Sequence, residues 1–538
     1  MIADTSKPLR LEDAALAVGV STATIRNWIK AGNLRTHKQG WVTVDSLALL
    51  QIKLGESGRL SKRANKSLKD THDHDGLTIQ YLKRINDTNV SLDKVADEYE
   101  QALSDSYRNK EGIYYTPTTV VNDLLKTSDG VLKKTFCDPC CGSGAFITRA
   151  IELGFQPENI YGFDTDPVAV ELTKAQIFKI TGYNSKNIVL GDFLDIASSK
   201  DCPSFDYIYT NPPWGKKITK SKKLYYSDLF NAGNSTDTCA LFFYAGLKCL
   251  VNNGSMGFIV PEAFFNIAAF ESARRRMVSL KAERFIDYGK PFKGLYSKAY
   301  GFVLRQTPSN KTDVVECSID STKITRDLAS FAINPKCIIN SYCEHESASI
   351  IDYLYSLPHT TLAGKASWGL GIVTGDNDRY VSEANLLNHI PVNIGSDIKK
   401  GSILDAKRFI PSDLSLYQQV SPLMFFKADC KLIYKFISSR LCFYCDQEQR
   451  FFLNSANMLI PNRDIGVSGE QLCDLLNSDV INWIFKNIFN THKVLRSDLE
   501  SLPLHTDYFK IHKSFKESAY LGYLGITIDK YGAYRIKK

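Results

Sequence analysis

The sequence predicts an α/β protein built on a doubly wound, mainly parallel sheet, preceded by a small helix-turn-helix and followed by a less regular C-terminal region. Three observations carry this. Apolar, strand-like runs alternate with helix-period stretches between residues 106 and 310. A Gly-x-Gly turn directly follows the first of those strands and opens a helix. The first fifty residues show two short helical patterns around a glycine turn instead.

In residues 1–55, Leu11, Ala14, Ala15 and Val18 fall at helical spacing, Gly19 turns the chain, Ser21 is placed to cap, and Thr22 to Trp28 resumes the helix. The second helix would present Thr22, Thr24, Arg26 and Asn27 outward, short polar and basic groups of the kind that reach base edges or phosphates, and Arg35 adds charge. Helix-turn-helix shapes also serve as protein-contact scaffolds, and both readings stay open. GWVTVDSLALL then reads as a short strand and a helix. The segment resembles the N-terminal unit of the MerR and excisionase group. Residues 56–105 read as a basic linker and a helical segment, because GESGRLSKRANKSLKDTHDHDG is polar and poor in apolar side chains. His72 and His74 are read as linker residues.

From residue 106 the pattern becomes α/β. A helix starts at YTPTTVVNDLL; strands are expected at KTFCDP, IYGFD, NIVLGDF, FDYIYTNPPW and GSMGFIVP; helices are expected at Val168 to Ile180 and Thr238 to Leu250. In such a sheet ligands sit at the strand C-termini. Residues 311–538 lose this regularity.

Composition narrows the class. The chain has 538 residues, enough for about three or four domains at roughly 100–200 residues each. Its 44% hydrophobic and 23% charged residues exclude global disorder and a coiled-coil rod. No run approaches a membrane span and no export signal opens the chain, so a cytoplasmic, membrane-free protein is expected, with its 13 cysteines mostly reduced. A balance of 66 basic against 58 acidic residues, net +8, permits a polyanionic partner.

The chemistry concentrates at strand ends. In FCDPCCGSGAF, Gly142, Ser143 and Gly144 let backbone N–H groups approach a nucleotide-like ligand. The third glycine of the dinucleotide fingerprint and the Gly-Lys-Ser/Thr of a phosphate loop are missing, so neither NAD nor ATP is favoured. Asp164 ends the next strand, where a carboxylate can accept from both ribose hydroxyls. Thr116 and Pro117 open a helix, with threonine as cap and exposed amides suited to a carboxylate; a plain N-cap is the alternative. Asp192 and Phe193 follow another strand and offer an acceptor and a ring to an adenine, or simply a strand-end turn. Asn211, Pro212, Pro213 and Trp214 follow the apolar strand FDYIYT. The prolines hold the backbone extended, so the Asn211 side-chain oxygen and the Pro212 carbonyl can accept the two hydrogens of one exocyclic amine, while Trp214 stacks on its ring. In WGKKITKSKKLYY, Lys216, Lys217, Lys220, Lys222 and Lys223 are expected in one loop beside this strand end, placed to neutralise phosphates.

In this order the motifs closely resemble those of the gamma class of adenine-N6 DNA methyltransferases. YYTP is similar to the class's cofactor-carboxylate motif, DPCCGSGAF to its Gly-rich loop, GFDTDP to its ribose motif, GDF to its adenine motif, and NPPW to its catalytic tetrapeptide. IVPEAFFNIAAF is similar to the later motif whose aromatic packs against the extruded base; Phe270 is the residue carried over, with Phe264 and Phe265 as competitors. The resemblance implies S-adenosyl-L-methionine as cofactor, Asp138 orienting its amino group, Phe163 or Phe146 lining its pocket, and no metal. It implies methyl transfer to N6 of a flipped adenine in double-stranded DNA, with catalytic residues Asn211, Pro212, Pro213 and Trp214. GLGIVTGDNDRYV, DIKKGSI and the final LLNSDVINWIFKNIF…LRSDLESLPL resemble the family's target-recognition region, with Asn377, Asp378 and Arg379 as polar candidates after the turn bracketed by Gly371 and Gly375. Cys442 and Cys445 have half a zinc site's spacing and read as buried thiols. A separate restriction endonuclease is the expected functional partner. The alternatives are a methyltransferase acting on cytosine N4, an RNA base or protein glutamine, and a regulator binding a promoter through residues 21–30.

Overall fold

The computed structural model describes residues 8–17, 25, 26, 28, 29, 34–38, 41–47, 74–85, 90–103, 114–128, 130–292, 295, 297–319 and 322–537. They form two compact units. One comprises Met1–Ala232, Thr236–Val260 and Pro291–Leu295; the other Gly233–Ser235, Pro261–Lys290 and Tyr296–Lys538.

The first unit begins with a small body: strand β1 (Leu9–Arg10), helix α1 (Leu11–Ala17), β2 (Thr36–Lys38) and β3 (Trp41–Val42). The strands pair antiparallel in the order β1-β3-β2 over a core that includes Ala14, Ile25, Trp28 and Leu47. Arg26 and Arg35 are exposed. Ser21, Thr22, Thr24 and Asn27 lie outside the described residues.

Two helices follow, α2 (His74–Ile85) and α3 (Leu92–Ala102). Leu92, Val95, Ala96 and Tyr99 recur at the three- and four-residue spacing of one helix face and are buried. That face packs with Tyr81, Val168 and Leu172.

The main body runs α4 (Thr118–Leu124), β4 (Phe136–Asp138), α5 (Ala145–Glu152), β5 (Ile160–Asp164), α6 (Pro167–Thr181), β6 (Ile188–Leu190), α7 (Phe193–Ser198), β7 (Phe205–Thr210), α8 (Lys220–Phe230), α9 (Thr238–Cys249) and β8 (Leu250–Pro261). The five strands are parallel in the order β8-β7-β4-β5-β6. Each expected strand and both long helices are present, and the largely apolar α9 is buried on nearly every side, with Lys248 the exception. The order places β4 centrally, with the chain winding outward to β5 and β6 and returning across to β7 and β8. That reversal opens a crevice at the strand C-termini. The expectation of reduced thiols fails at one pair: Cys202, just before β7, and Cys249, at the end of α9, are joined as a disulfide with Cα atoms 6.6 Å apart. The turn into β7 and the end of α9 meet at one edge, which sequence spacing does not reveal.

In the second unit, β9 (Leu280–Asp287), β10 (Ala299–Pro308), β11 (Val314–Ile319) and β12 (Thr322–Asp327) lie in the order β12-β11-β9-β10, with β9 and β10 antiparallel. The C-terminal region has its own four-stranded antiparallel sheet, in the order Ala366–Leu370, Ala456–Pro461, Lys431–Lys435, Phe443–Asp446. Cys442 and Cys445 pack into separate apolar clusters, because three residues along a strand point to opposite faces. Among the described residues no helix is long and apolar enough to cross a membrane, and no cluster of His, Cys, Asp or Glu is arranged to hold a metal.

Candidate functional site

A cavity of about 330 Å³ opens at the C-terminal ends of the parallel strands of the first unit. Gly142, Asp164, Asp192 and Phe193 line it, as do Asn211, Pro213 and Lys216. Residues far apart in sequence therefore converge because a parallel sheet brings all its strand ends to one edge.

The glycine loop is built from within. Gly142 and Gly144 have φ of +50° and +89°, and a Cβ on Gly144 would stand 3.0 Å from the Thr173 hydroxyl. Thr173, fully buried on α6, donates to the Gly142 carbonyl at 3.0 Å and holds the turn. Ser143 stands half-buried between the glycines. Asp164 ties the loop to β5 and beyond, its two oxygens accepting from the backbone N–H of Gly142 at 2.9 Å and of Asp166 at 3.0 Å. Asp138, 1% exposed, sits behind the lining and accepts from the Cys140 N–H at 3.1 Å.

These carboxylates are strained electrostatically. Burial raises Asp138 to about 7, against the Thr210 hydroxyl and the Cys140 N–H, with the Asp164 charge raising it further. Burial likewise raises Asp164 to about 6, opposed by its two backbone donors and by Lys216. Asp166 and Asp192 add acidity to the lining, and each caps a helix through one oxygen, accepting from Val168 and Leu194 N–H groups. Lys216 is the single lysine or arginine lining the cavity among the described residues, so the cavity suits a ligand bearing positive charge.

Asn211 donates its side-chain N–H groups to the Tyr114 carbonyl at 3.0 Å and to Thr116 Oγ1 at 3.2 Å. A carbonyl can only accept, so the amide nitrogen must face Tyr114. The Asn211 Oδ1 is left buried and without a partner. Trp214 donates through Nε1 to the Ile259 carbonyl at 3.3 Å and meets the Phe292 ring edge-on at 5.4 Å; Tyr114 lies 6.0 Å from Phe292. Three aromatic rings thus gather beside Asn211. Pro212 is buried.

Two local expectations are corrected. Thr116 does not cap a helix: α4 begins at Thr118 with Pro117 at its N-cap, and the Thr116 hydroxyl is engaged by Asn211. Lys220, Lys222 and Lys223 do not share a loop with Lys216 and Lys217; they lie in the first turn of α8, whose cap is Thr219, accepting from the Lys222 N–H at 3.3 Å. Threonine ahead of a lysine-rich segment nucleates a helix that charge alone does not predict. Lys217 is exposed.

Phe270 belongs to the second unit, where it is 6% exposed with its ring centroid 4.9 Å from that of Phe264. Phe163 and Phe146 are buried, with Phe163 packed behind Phe193 at 5.6 Å. Sequence reasoning passed over Phe292, Thr173, Tyr115 and Tyr99. Tyr99 and Thr78 line the cavity from α3 and α2, and Tyr99 donates to Asp166 at 2.8 Å. An amphipathic repeat could have placed Tyr99 on a buried face, while nothing local signals its partner. In the C-terminal region Asn377, Asp378 and Arg379 are exposed, with Asn377 Oδ1 accepting from the Thr374 hydroxyl at 2.6 Å.

Comparison with known proteins gives two family matches: N-6 DNA Methylase over residues 90–282 and TaqI-like C-terminal specificity domain over residues 390–504. The chain is 41% identical over 399 residues to the Type II methyltransferase M.VspI of Vibrio sp. (strain 343), covering 74% of this chain and 98% of that protein. It is 26% identical over 194 residues to the Modification methylase CviBIII of Paramecium bursaria Chlorella virus NC1A, covering 35% of this chain and 47% of that one. The cryoEM structure of a DrdV–DNA complex shares the fold, with TM-score 0.50 and 12% identity over 86% of this chain and 62% of that chain.

Proposed function

The chain belongs to the type II methyltransferases of the N-6 DNA methylase family, and from that premise we propose that it methylates N6 of an adenine turned out of double-stranded DNA, using S-adenosyl-L-methionine. The observation that carries the reading is Asn211 Oδ1: a buried acceptor without a partner, on a side chain that lines a cavity at the strand ends. It is the group an exocyclic amine would complete.

The residues fit the cofactor. The acidic lining matches its positive charge, and the glycine loop borders the cavity through Gly142. When bound, it supplies a methyl group on a cationic sulfur, open to in-line displacement. Gly142, Ser143 and Gly144 form its cradle, Asp164 takes the ribose, Asp192 and Phe193 take the adenine, and Asp138 acts through the Cys140 turn. Thr116 serves this site by holding Asn211. Asn211 Oδ1 and the Pro212 carbonyl draw the two amine hydrogens, which localises the nitrogen lone pair toward the methyl. Pro213 keeps that segment extended. Trp214 and Phe270 flank the base, and Phe292 supports Trp214 edge-on from behind. Lys216 and Lys217 meet flanking phosphates.

In this reading the chain is a gamma-class modification enzyme paired with a separate restriction endonuclease, residues 106–310 hold the chemistry, and residues 311–538 read the DNA sequence, consistent with the specificity-domain match. The alternative is a regulator, in which residues 1–55, read from the sequence as a helix-turn-helix and followed by the linker and helical segment of residues 56–105, meet a promoter through residues 21–30. The test is single-molecule sequencing of DNA from a methylation-deficient host expressing the chain, beside Asn211→Ala. N6-methyladenine at one short motif, absent in the variant, is expected. Marks on cytosine N4, or methyl transfer to RNA or protein glutamine without DNA methylation, would overturn the reading.

A further inference from the structure

We infer that the Tyr115 hydroxyl is a cofactor-positioning group that donates a hydrogen bond to a ribose hydroxyl of the S-adenosyl ligand and, with Asp164, makes the cavity selective for a vicinal diol. The inference deepens the cofactor reading above and rests on it.

Tyr115 lines the cavity, and its hydroxyl is buried without a partner. Its ring lies against the glycine loop, where a Cβ on Gly142 would stand 3.4 Å from the ring carbon Cε1. The residue is held on both sides. Its N–H donates to Glu100 of α3 at 3.5 Å, and the preceding Tyr114 carbonyl accepts from Asn211 at 3.0 Å. A donor fixed in this way, left unmatched inside a cavity, is a polar group awaiting a ligand.

The surrounding charge selects the ligand group. Burial, then the Asp166 and Asp164 carboxylates, drive the Tyr115 phenol well above its ordinary titration range, so it stays a neutral donor. Asp166 accepts the Val168 N–H at 2.9 Å on one oxygen and the Tyr99 hydroxyl at 2.8 Å on the other, which ties it to the start of α6 and to α3. Each Asp164 oxygen holds one backbone N–H and keeps a second lone pair. A ligand carboxylate at this place would be repelled by the two aspartates. An ammonium or sulfonium would be attracted but could accept nothing from Tyr115. A hydroxyl satisfies both sides, accepting from Tyr115 and donating to Asp164, and ribose carries the hydroxyls of this cofactor.

The test is titration calorimetry on the full chain with S-adenosyl-L-methionine and its 2′-deoxy and 3′-deoxy ribose analogues, for wild type and Tyr115→Phe. Loss of one neutral hydrogen bond should weaken the parent ligand about three- to ten-fold in Tyr115→Phe, and leave one of the deoxy analogues unchanged. Equal weakening of all three ligands, or no weakening of the parent, overturns the inference. Thermal unfolding without ligand is the second readout. Removing an unpartnered buried hydroxyl should leave the midpoint equal or higher, and a midpoint several degrees lower would make the hydroxyl a structural group instead. A wild-type chain that binds none of the three ligands overturns the cofactor reading and this inference together, whereas selective wild-type binding with an indifferent variant overturns this inference alone.

Discussion

Asn211 and Thr116 are hydrogen-bonded side chain to side chain at 3.2 Å, so the threonine of the YYTP segment helps to aim the amide of the NPPW segment. With the Tyr114 carbonyl as second acceptor, this bond decides which end of the Asn211 amide is left for a guest.

Thr116→Val keeps the shape and removes the acceptor. It is expected to lower kcat about three- to ten-fold, the worth of one hydrogen bond, and to leave the Kd for S-adenosyl-L-methionine within two-fold. Single-turnover methylation beside calorimetry separates the two effects. A raised Kd with unchanged kcat would return Thr116 to the cofactor carboxylate.

Phe292→Ala and Phe270→Ala should fail differently. Phe292 is 6% exposed and packs edge-on against Trp214, so Phe292→Ala should cost about 3–5 kcal/mol of stability while changing kcat/KM of the folded enzyme less than about ten-fold. Phe270→Ala removes a buried ring packed on Phe264, at about 3–5 kcal/mol of stability, and with the base-flanking ring gone should also lower kcat/KM about ten- to one-hundred-fold. Denaturant unfolding and steady-state methylation of both variants read this out.

The pH dependence of the ligand-free chain follows from Asp138. Its carboxyl titrates at about 7 when folded, against an ordinary 3.8, so between these values the folded chain binds more protons than the unfolded one. Its contribution to stability is complete below the lower value and disappears as pH rises through the upper one. The thermal midpoint should therefore fall between pH 5.5 and pH 8, with Asp164, at about 6, acting in the same sense. Asp138→Asn, which mimics the protonated form, should flatten that slope in scans at both pH values.

Arg274 is fully buried and donates to four carbonyls: Phe264 at 2.9 Å, Ile267 at 2.7 Å, Lys336 at 3.0 Å and Cys337 at 3.2 Å. It knots two chain segments of the second unit. Arg274→Ala leaves these acceptors buried and unmatched and is expected to cost about 3–5 kcal/mol, measured by urea unfolding. Arg274→Lys should recover only a minor part, since an ammonium cannot span the same fan of carbonyls.

Much of the first unit is legible in the sequence alone. Near-continuous apolar runs, glycine turns and helix stretches located β4 to β8, because those signals are local and a strand covered on both faces of a parallel sheet is apolar along most of its length. The segment at residues 74–102 was read as linker and helix, and its role was not visible. Tyr99 reaches Asp166 across 67 residues, and only packing of α3 onto α6 brings them together.

The sequence by itself determined which runs are strands and which glycines, acids and amides stand at their C-terminal ends, and a parallel sheet brings those ends to one edge. Tertiary structure alone decided how those residues are used. The Asn211 amide is oriented by a carbonyl 97 residues away, Phe292 meets Trp214 edge-on, and Tyr115 is left with an unmatched hydroxyl in the acid-lined cavity. Local periodicity encodes burial, whereas hydrogen-bond partners and ring contacts depend on which distant segments pack together, and that depends on the whole chain at once.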